Sequence, residues 1–416
     1  MMELLVIADD FTGALDTGVK FSKQSIDVNV TTDREYDFSR AEEGSVLVLD
    51  SETRHVKAEE AGNIILKIVK KACDAGVPYI YKKTDSALRG NIGAELWAVL
   101  KETGEKELSF VPAFPDMKRT TVNGIQYIDS VPVNESVFGQ DPFEPVKHPY
   151  IADIIHEQSD VATCCIPIGK SSDREKRGFV AIYDAVSTSD VRKLAEKLSK
   201  ENKLRAMAGC AGFASVLPSV LKLRSSNNKE LSEFRKGLLV VCGSLNPVTR
   251  NQLDYAEEHG FERIYLSPVQ KIAVNHWQGT QGKKELEDLA QKSMNSEFLV
   301  IDGNDPPGSD VTAEYIRENR ISLEEMRRRV TRSFGHMMKN ILDRGFSGTL
   351  MIMGGDTLLG VLSEIGVVSV RPVAELVPGT VLSDFDYSGR SLRIISKSGG
   401  FGQSSLIMDL VSEYML

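Results

Sequence analysis

The sequence predicts an α/β protein of two domains, each a mostly parallel sheet flanked by helices. Short apolar runs alternate with amphipathic segments, the alternation restarts after one polar stretch, and the runs end in charged or glycine-rich turns. The first two features are those of βαβ units covered by helices. The third places chemistry where ligands bind in open α/β sheets, outside the carboxyl ends of the strands.

Taken in order, Leu4 to Ile7 is a buried strand that stops at Asp9 and Asp10, where Thr12 can cap a helix from Ala14 onward. Further strands are expected at Asp27 to Thr31 and Ser45 to Leu49. From Lys57 to Ala75, Ala61, Ile64, Ile65, Ile68, Val69 and Ala72 make one helical face, closed by Gly76-Val77-Pro78 before a strand at Tyr79 to Tyr81. Leu108 to Val111, Val161 to Ile168, Phe179 to Tyr183 and Arg205 to Ala208 continue the set, with a helix from Ser189 to Glu201. The polar run LRSSNNKELSEFRKG from Leu223 is the linker. Domains are therefore expected at residues 1–224 and 237–416, joined by residues 225–236. In the second, strands fall at Leu238 to Cys242, Arg263 to Leu266, Phe298 to Ile301, Thr349 to Met353 and Leu392 to Ser396. Helices fall at Pro247 to Glu258 and Leu323 to Leu342, and Arg327, Arg328, Arg329 and Arg332 of the latter read as a solvated face.

Hydrophobic content of 41% with 26% charged residues is that of a soluble globular protein with a sizeable core. A net charge of -9 argues against a nucleic-acid surface, so an anionic ligand needs a local cationic pocket. Five scattered cysteines without C-x-x-C indicate neither a zinc site nor a disulfide framework and suit the cytoplasm. There is no signal-peptide pattern and no apolar run of membrane-spanning length.

Two adjacent carboxylates, Asp9 and Asp10, exceed what a helix cap needs, although Asp10 as well as Thr12 can serve as that cap. The second charged turn, KKTDSALRGN from Lys82 to Asn91, again follows a strand. Lys83 and Arg89 supply positive charge for a carboxylate ligand, and Asp85 and Asn91 can hold hydroxyls, although Asn91 alone reads better as a helix cap. A third turn, PAFPDMKRTT from Pro112, carries Lys118 and Arg119 in the same topological position and is balanced between site and surface.

In the second half, Cys242-Gly243-Ser244 precedes a helix capped by Asn246, with Pro247 at its first position. Met353-Gly354-Gly355-Asp356-Thr357 and Lys397-Ser398-Gly399-Gly400-Phe401-Gly402 are built alike. Glycine lets backbone amides approach an anion, and a helix N-terminus adds partial positive charge; three such turns in one domain point to a nucleotide. The P-loop pattern is absent. A dinucleotide fingerprint at Gly400 wants an acidic residue about 20 positions on, and the chain ends first. A mononucleotide fits better.

VIADDFTGALDTG, KKTDSALRGNIGAE, PAFPD, CGSLNPVTRNQ, GGDT, and VPGT with KSGGFG together resemble the motif set of the four-carbon acid sugar kinases, once grouped as a domain of unknown function. The resemblance spans nearly the whole chain. It implies a sugar-binding amino-terminal domain, a nucleotide-binding carboxy-terminal domain, an active site in the cleft between them, and ATP-dependent phosphorylation of the terminal hydroxyl of a four-carbon acid. Asp9, Asp10, Lys83, Asp85, Arg89, Gly90 and Asn91 then line the substrate site, with Asp10 as the catalytic residue. Ser244, Gly354, Gly355, Asp356, Thr357, Gly399 and Gly400 meet ATP. Mg²⁺ bridges the phosphates; its protein ligands are not legible, and Asp356 is a candidate that equally reads as a cap. Ala87 stands where relatives usually have Thr, which leaves the substrate open. Asp16-Thr17-Gly18-Val19 and Arg89-Gly90-Asn91 look closer to the threonate and erythronate kinases than to the 3-oxotetronate branch. A nicotinamide oxidoreductase and a non-catalytic nucleotide-regulated module are the rival readings. The partner is a small sugar acid, with no nucleic acid, no membrane, and homo-oligomerisation open.

Overall fold

The computed structural model describes residues 2–141, 145–172, 178–225, 234, 237–398 and 400–415. The chain divides into two compact units, Met1–Asn228 and Lys229–Leu416. The expected linker lies largely outside the described residues.

The amino-terminal unit is wound from β1 (Leu4–Ala8), α1 (Phe11–Ser22), β2 (Val28–Thr31), β3 (Val46–Asp50), α2 (Ala58–Asp74), β4 (Tyr79–Lys83), α3 (Ile92–Thr103) and β5 (Glu107–Val111). A small antiparallel insert follows: β6 (Arg119–Val122), β7 (Ile125–Ile128) and β8 (Val131–Pro132). Then come α4 (Ile151–His156), β9 (Ala162–Ile166), β10 (Phe179–Tyr183), α5 (Thr188–Lys200), β11 (Ala206–Gly209), α6 (Ala211–Ala214) and α7 (Leu217–Val220). The main sheet has the order β2-β3-β1-β4-β11-β5-β10-β9 and is parallel throughout. Helices cover it, so its central strands are apolar on both faces: all five residues of β1 are buried, as a doubly covered parallel strand requires.

The chain leaves β1 toward β2 and β3 on one side and later returns to β4 on the other. In sheets of this kind ligands bind at such a reversal, here the carboxyl ends of β1 and β4. Register makes the reversal compact, because Ala8 pairs with both Asp50 and Lys83, and Lys83 with Gly209. The turns after these strands therefore start side by side.

The carboxy-terminal unit repeats the plan with β12 (Leu238–Cys242), α8 (Pro247–Glu258), β13 (Glu262–Tyr265), α9 (Pro268–Ile272), α10 (Thr280–Asn295), β14 (Phe298–Asp302), α11 (Val311–Glu318), α12 (Leu323–Asp343), β15 (Thr349–Met353) and α13 (Gly355–Glu364). It ends with β16 (Ser369–Val377), β17 (Thr380–Tyr387), β18 (Arg390–Lys397) and α14 (Leu406–Tyr414). The order is β13-β14-β12-β15-β18-β17-β16; the first five are parallel and the last two antiparallel. Here too the winding reverses, between β12 and β15, and Cys242 pairs with Met353, which pairs with Lys397.

Three expectations are corrected. Asp10, not Thr12, caps α1, its Oδ1 accepting from Gly13 N, so the helix starts at Phe11. The β6–β8 insert falls where a loop was expected. Asn123 and Gly124 at its first turn both have positive φ, which a two-residue hairpin turn demands. The β16–β17 pair was unforeseen, and Gly379, with φ of 75°, stands in its turn.

Candidate active site

In the amino-terminal unit the turns after β1, β3 and β4 knit into one buried charged cluster. Arg54, from the turn after β3, donates from Nε to Asp9 Oδ2 at 2.8 Å and from Nη2 to Asp10 Oδ1 at 2.8 Å, and it lies 3.8 Å from Asp85. Arg89 grips Asp85 with two donors, at 2.9 and 3.1 Å, and lies 3.8 Å from Asp141. Beneath them Lys82 and Glu95, both fully buried, pair at 3.1 Å. Thr53 Oγ1 donates to Glu95, tying the β3 turn to α3.

Gly13 lets Asp10 and Lys83 approach. A Cβ there would collide with Asp10 Oδ1 and stand 2.8 Å from Lys83 Nζ. Among the described residues the Lys83 ammonium makes no hydrogen bond or ion pair, though the residue is buried. It is thus an ammonium beside a carboxylate with its donors available. Asp10 is the more open member of its pair, its side chain 27% exposed against 1% for Asp9.

The electrostatics follow from this packing. Burial works to raise the Asp9 carboxyl, but Arg54, Lys82 and Lys83 outweigh it and hold Asp9 below the usual range. Burial likewise opposes ionisation of Asp85, and Arg89, Arg54 and Lys83 hold its carboxyl far below that range. Asp50, buried without a comparable cation, is pushed well above it. Both Asp9 and Asp85 are therefore fixed anions that orient cations and accept hydrogen bonds.

Of the expected substrate residues, Asp9, Asp10, Lys83, Asp85 and Arg89 lie in this cluster. Gly90 adjoins it, where a Cβ would stand 3.5 Å from Asp9 Oδ2. Asn91 is the boundary residue of α3, and its amide donates to Thr53 O at 2.7 Å and Val56 O at 2.9 Å. That use is architectural, clamping the Arg54 turn. Arg54 itself was missed. The available signal was a cation four residues after the apolar run ending at Asp50, the same topological position as the two turns that were noticed.

In the carboxy-terminal unit the glycine turns converge. Gly243 N donates to Met353 O at 3.1 Å, and Gly354 N to Lys397 O at 3.3 Å. Gly354 has φ of 118°, and a Cβ on it would stand 3.4 Å from both Ser244 N and Thr357 Oγ1. A Cβ on Gly400 would lie 3.8 Å from Asn246 Nδ2. Asn246 caps α8 as expected, its Oδ1 accepting from Val248 N at 2.9 Å. Gly355 opens α13 and Thr357 is buried within it. Asp356 is exposed and paired with Arg327 at 2.9 Å. Gly399 lies outside the described residues. At the end of β18 the buried Lys397 donates to Thr249 Oγ1 at 3.1 Å, and burial lowers its ammonium to about 8. Among the described residues no three His, Cys, Asp or Glu gather as a metal site. None of their helices is long and apolar enough to cross a membrane.

A unit with a buried charged cluster at its strand ends is followed by one in which glycine turns converge. Family models match both. Residues 4–217 match a sugar-binding N-terminal domain and residues 239–407 a nucleotide-binding C-terminal domain. The chain belongs to the four-carbon acid sugar kinase family, and its activity is that of a sugar-acid kinase. It is 28% identical to the D-threonate kinase of Salmonella typhimurium, over 98% of this chain and 97% of that one. It is 24% identical to the D-erythronate kinase of Heliobacterium modesticaldum, over 91% and 89%, and 24% identical to a 3-oxo-tetronate kinase of Pseudomonas fluorescens, over 95% and 93%. A solved Salmonella typhimurium structure described as a tRNA synthase shares the fold, with a TM-score of 0.81, 20% identity and 100% of both chains covered. A Haemophilus influenzae structure does so with a TM-score of 0.74 and 20% identity, over 99% of this chain and 100% of that one.

Proposed function

We propose that the protein transfers the γ-phosphoryl group of ATP, with Mg²⁺, to the 4-hydroxyl of a four-carbon sugar acid, D-threonate or D-erythronate. The observation that carries this reading is Asp10 held beside Lys83 at the reversal point of the amino-terminal sheet, in a chain whose relatives include D-threonate and D-erythronate kinases.

Phosphoryl transfer asks a protein chiefly to align the attacking hydroxyl and to neutralise charge. Asp10, fixed by Arg54 and by its own cap bond through Oδ1, accepts the proton of the attacking hydroxyl through Oδ2. Asp85 and Asp9 hold the cationic frame, and Lys83 faces the reacting end of the substrate. Ser244, Gly354, Gly355 and Thr357, with Gly400, offer amides and hydroxyls to the phosphates, and Lys397 lies below them. The left-handed Gly354, whose Cβ position is bounded by Ser244 N and Thr357, is the cradle that fits a phosphate. Mg²⁺ would keep several waters and take most of its other ligands from the nucleotide phosphates. Unpaired cysteines suit a reducing cytoplasm.

The test is ADP release with ATP and a panel of D-threonate, D-erythronate, their L-isomers and 3-oxotetronate. Release with the first two supports the proposal. A preference for 3-oxotetronate moves the protein to that branch, and reduction of a nicotinamide without ADP release overturns it.

A further inference from the structure

We propose that Arg119 recognises the substrate carboxylate and sets the preference of the site for acids over neutral polyols. The inference rests on the sugar-acid kinase reading and locates the one end of the substrate that the cluster above leaves without a partner.

The arginines of that cluster are already committed. Arg54 spends donors on Asp9 and Asp10, and Arg89 spends two on Asp85. Arg54 and Arg89 stand against Asp9, Asp10, Asp85 and Asp141, and Lys82 stands against Glu95; Lys83 stands beside Asp10, the position assigned to the reacting hydroxyl. No net positive charge is left over. A carboxylate brought against Asp10 or Asp85 would meet like charge, which repels it. Hydroxyls suit those positions; the carboxylate needs an uncommitted cation.

Arg119 is such a cation outside the cluster. It opens β6, and its Nη1 donates to Ser86 Oγ in the turn after β4. Its Nε is buried and has no hydrogen-bond partner, and among the described residues no carboxylate pairs with the guanidinium. The guanidinium carbon lies 5.5 Å from the centroid of the Phe138 ring, and Arg89 lies 5.1 Å from the same ring. The same ring thus contacts a guanidinium committed to Asp85 and one whose Nε is left without a partner. A buried N–H without a partner is costly unless a ligand satisfies it, and a planar fork beside a hydroxyl matches a carboxylate.

A purely structural role is already filled. The fully buried Gln126 of β7 ties the insert to the same turn, donating to Ser86 O at 3.2 Å while accepting from Thr121 Oγ1 at 2.8 Å.

The full-length protein and its Arg119→Gln, Arg119→Lys and Ser86→Ala variants test this with each four-carbon acid and its neutral amide. Arg119→Gln is expected to lower kcat/KM for the acid roughly 100-fold, mainly through KM, with the amide changed less than about 3-fold. Arg119→Lys keeps the charge and should fall between; Ser86→Ala should repeat the effect more weakly. Acid and amide falling together, or an unchanged acid KM, overturns the proposal. Calorimetric binding of the acid without nucleotide keeps the two readings apart. Wild-type binding that Arg119→Gln abolishes upholds Arg119 even if no acid releases ADP, whereas equal binding by both overturns it while leaving the kinase reading intact. No binding of any four-carbon acid to the wild type also overturns it.

Discussion

Arg54 Nη2 donates to Asp10 Oδ1 at 2.8 Å, and that oxygen also accepts from Gly13 N at 3.1 Å. One carboxylate oxygen is therefore occupied by the frame, and the other is left to meet a hydroxyl. Asp10→Asn keeps the helix cap, since Asn caps as well as Asp, but it removes the proton acceptor. Turnover is expected to fall roughly 100- to 10,000-fold, with ADP affinity within about 2-fold of wild type. Steady-state kinetics with calorimetric ADP binding checks this; unchanged turnover removes Asp10 from the mechanism.

The same arginine stabilises the fold. Asp9 is 1% exposed, so Arg54→Met leaves a buried carboxylate without its main partner. The loss is expected to be about 3–5 kcal/mol, and adding Asp9→Asn should recover part of it. The pH dependence should also change sign. In the wild type Asp9 titrates below its unfolded value of 3.8, so its contribution is full above 3.8 and fades as pH falls through the lowered value. Without Arg54 the burial contribution dominates and its carboxyl rises. Stability should then fall as pH climbs above 3.8, read by urea midpoints across that range.

The contrast between residues found and missed in the sequence has a physical basis. Asp9, Asp10, Lys83, Asp85 and Arg89 were legible because each follows an apolar run that ends abruptly, and period-2 or buried-strand patterns survive without tertiary context. Arg54 sits in SETRHV, where no glycine or helix cap marks a turn, and its role depends on strand order that local sequence does not carry. The β6–β7 hairpin did announce itself through Asn123-Gly124, but the preceding prolines read as loop. Whether Asn91 met substrate or architecture hung on which carbonyls lay nearby, and Thr53 O and Val56 O come from a turn 35 or more residues away.

Gly354 is a second kind of constraint. Its φ of 118° is a conformation that a side chain strains to reach, and a Cβ would press on Ser244 N and Thr357 Oγ1. Gly354→Ala is expected to cost about 1–3 kcal/mol in the fold and to weaken ADP binding roughly 10-fold or more, since the amides are moved. Calorimetry at a temperature where the variant is folded separates the two effects. Full ADP affinity would place the phosphates elsewhere.

Lys397 sets function against stability. It is 2% exposed at the end of β18, with Thr249 Oγ1 at 3.1 Å, and burial lowers its ammonium from 10.5 to about 8. Because the folded value lies below the unfolded one, the unfolded chain binds the extra proton between pH 8 and 10.5, and stability rises with pH across that window. Below 8 the cost is fully present. Lys397→Met should therefore stabilise the nucleotide-free protein at pH 7, by up to about 3 kcal/mol, and the gain should fade as pH climbs toward 10.5. Nucleotide phosphates beside the ammonium favour its charged form, so the same substitution should weaken ADP binding roughly 10- to 100-fold, and wild-type binding should take up protons near pH 8. Calorimetry in buffers of different ionisation enthalpy reads that uptake directly. A variant that binds ADP as tightly as wild type, with no proton uptake in either, would leave Lys397 a strand residue with no part in holding the nucleotide.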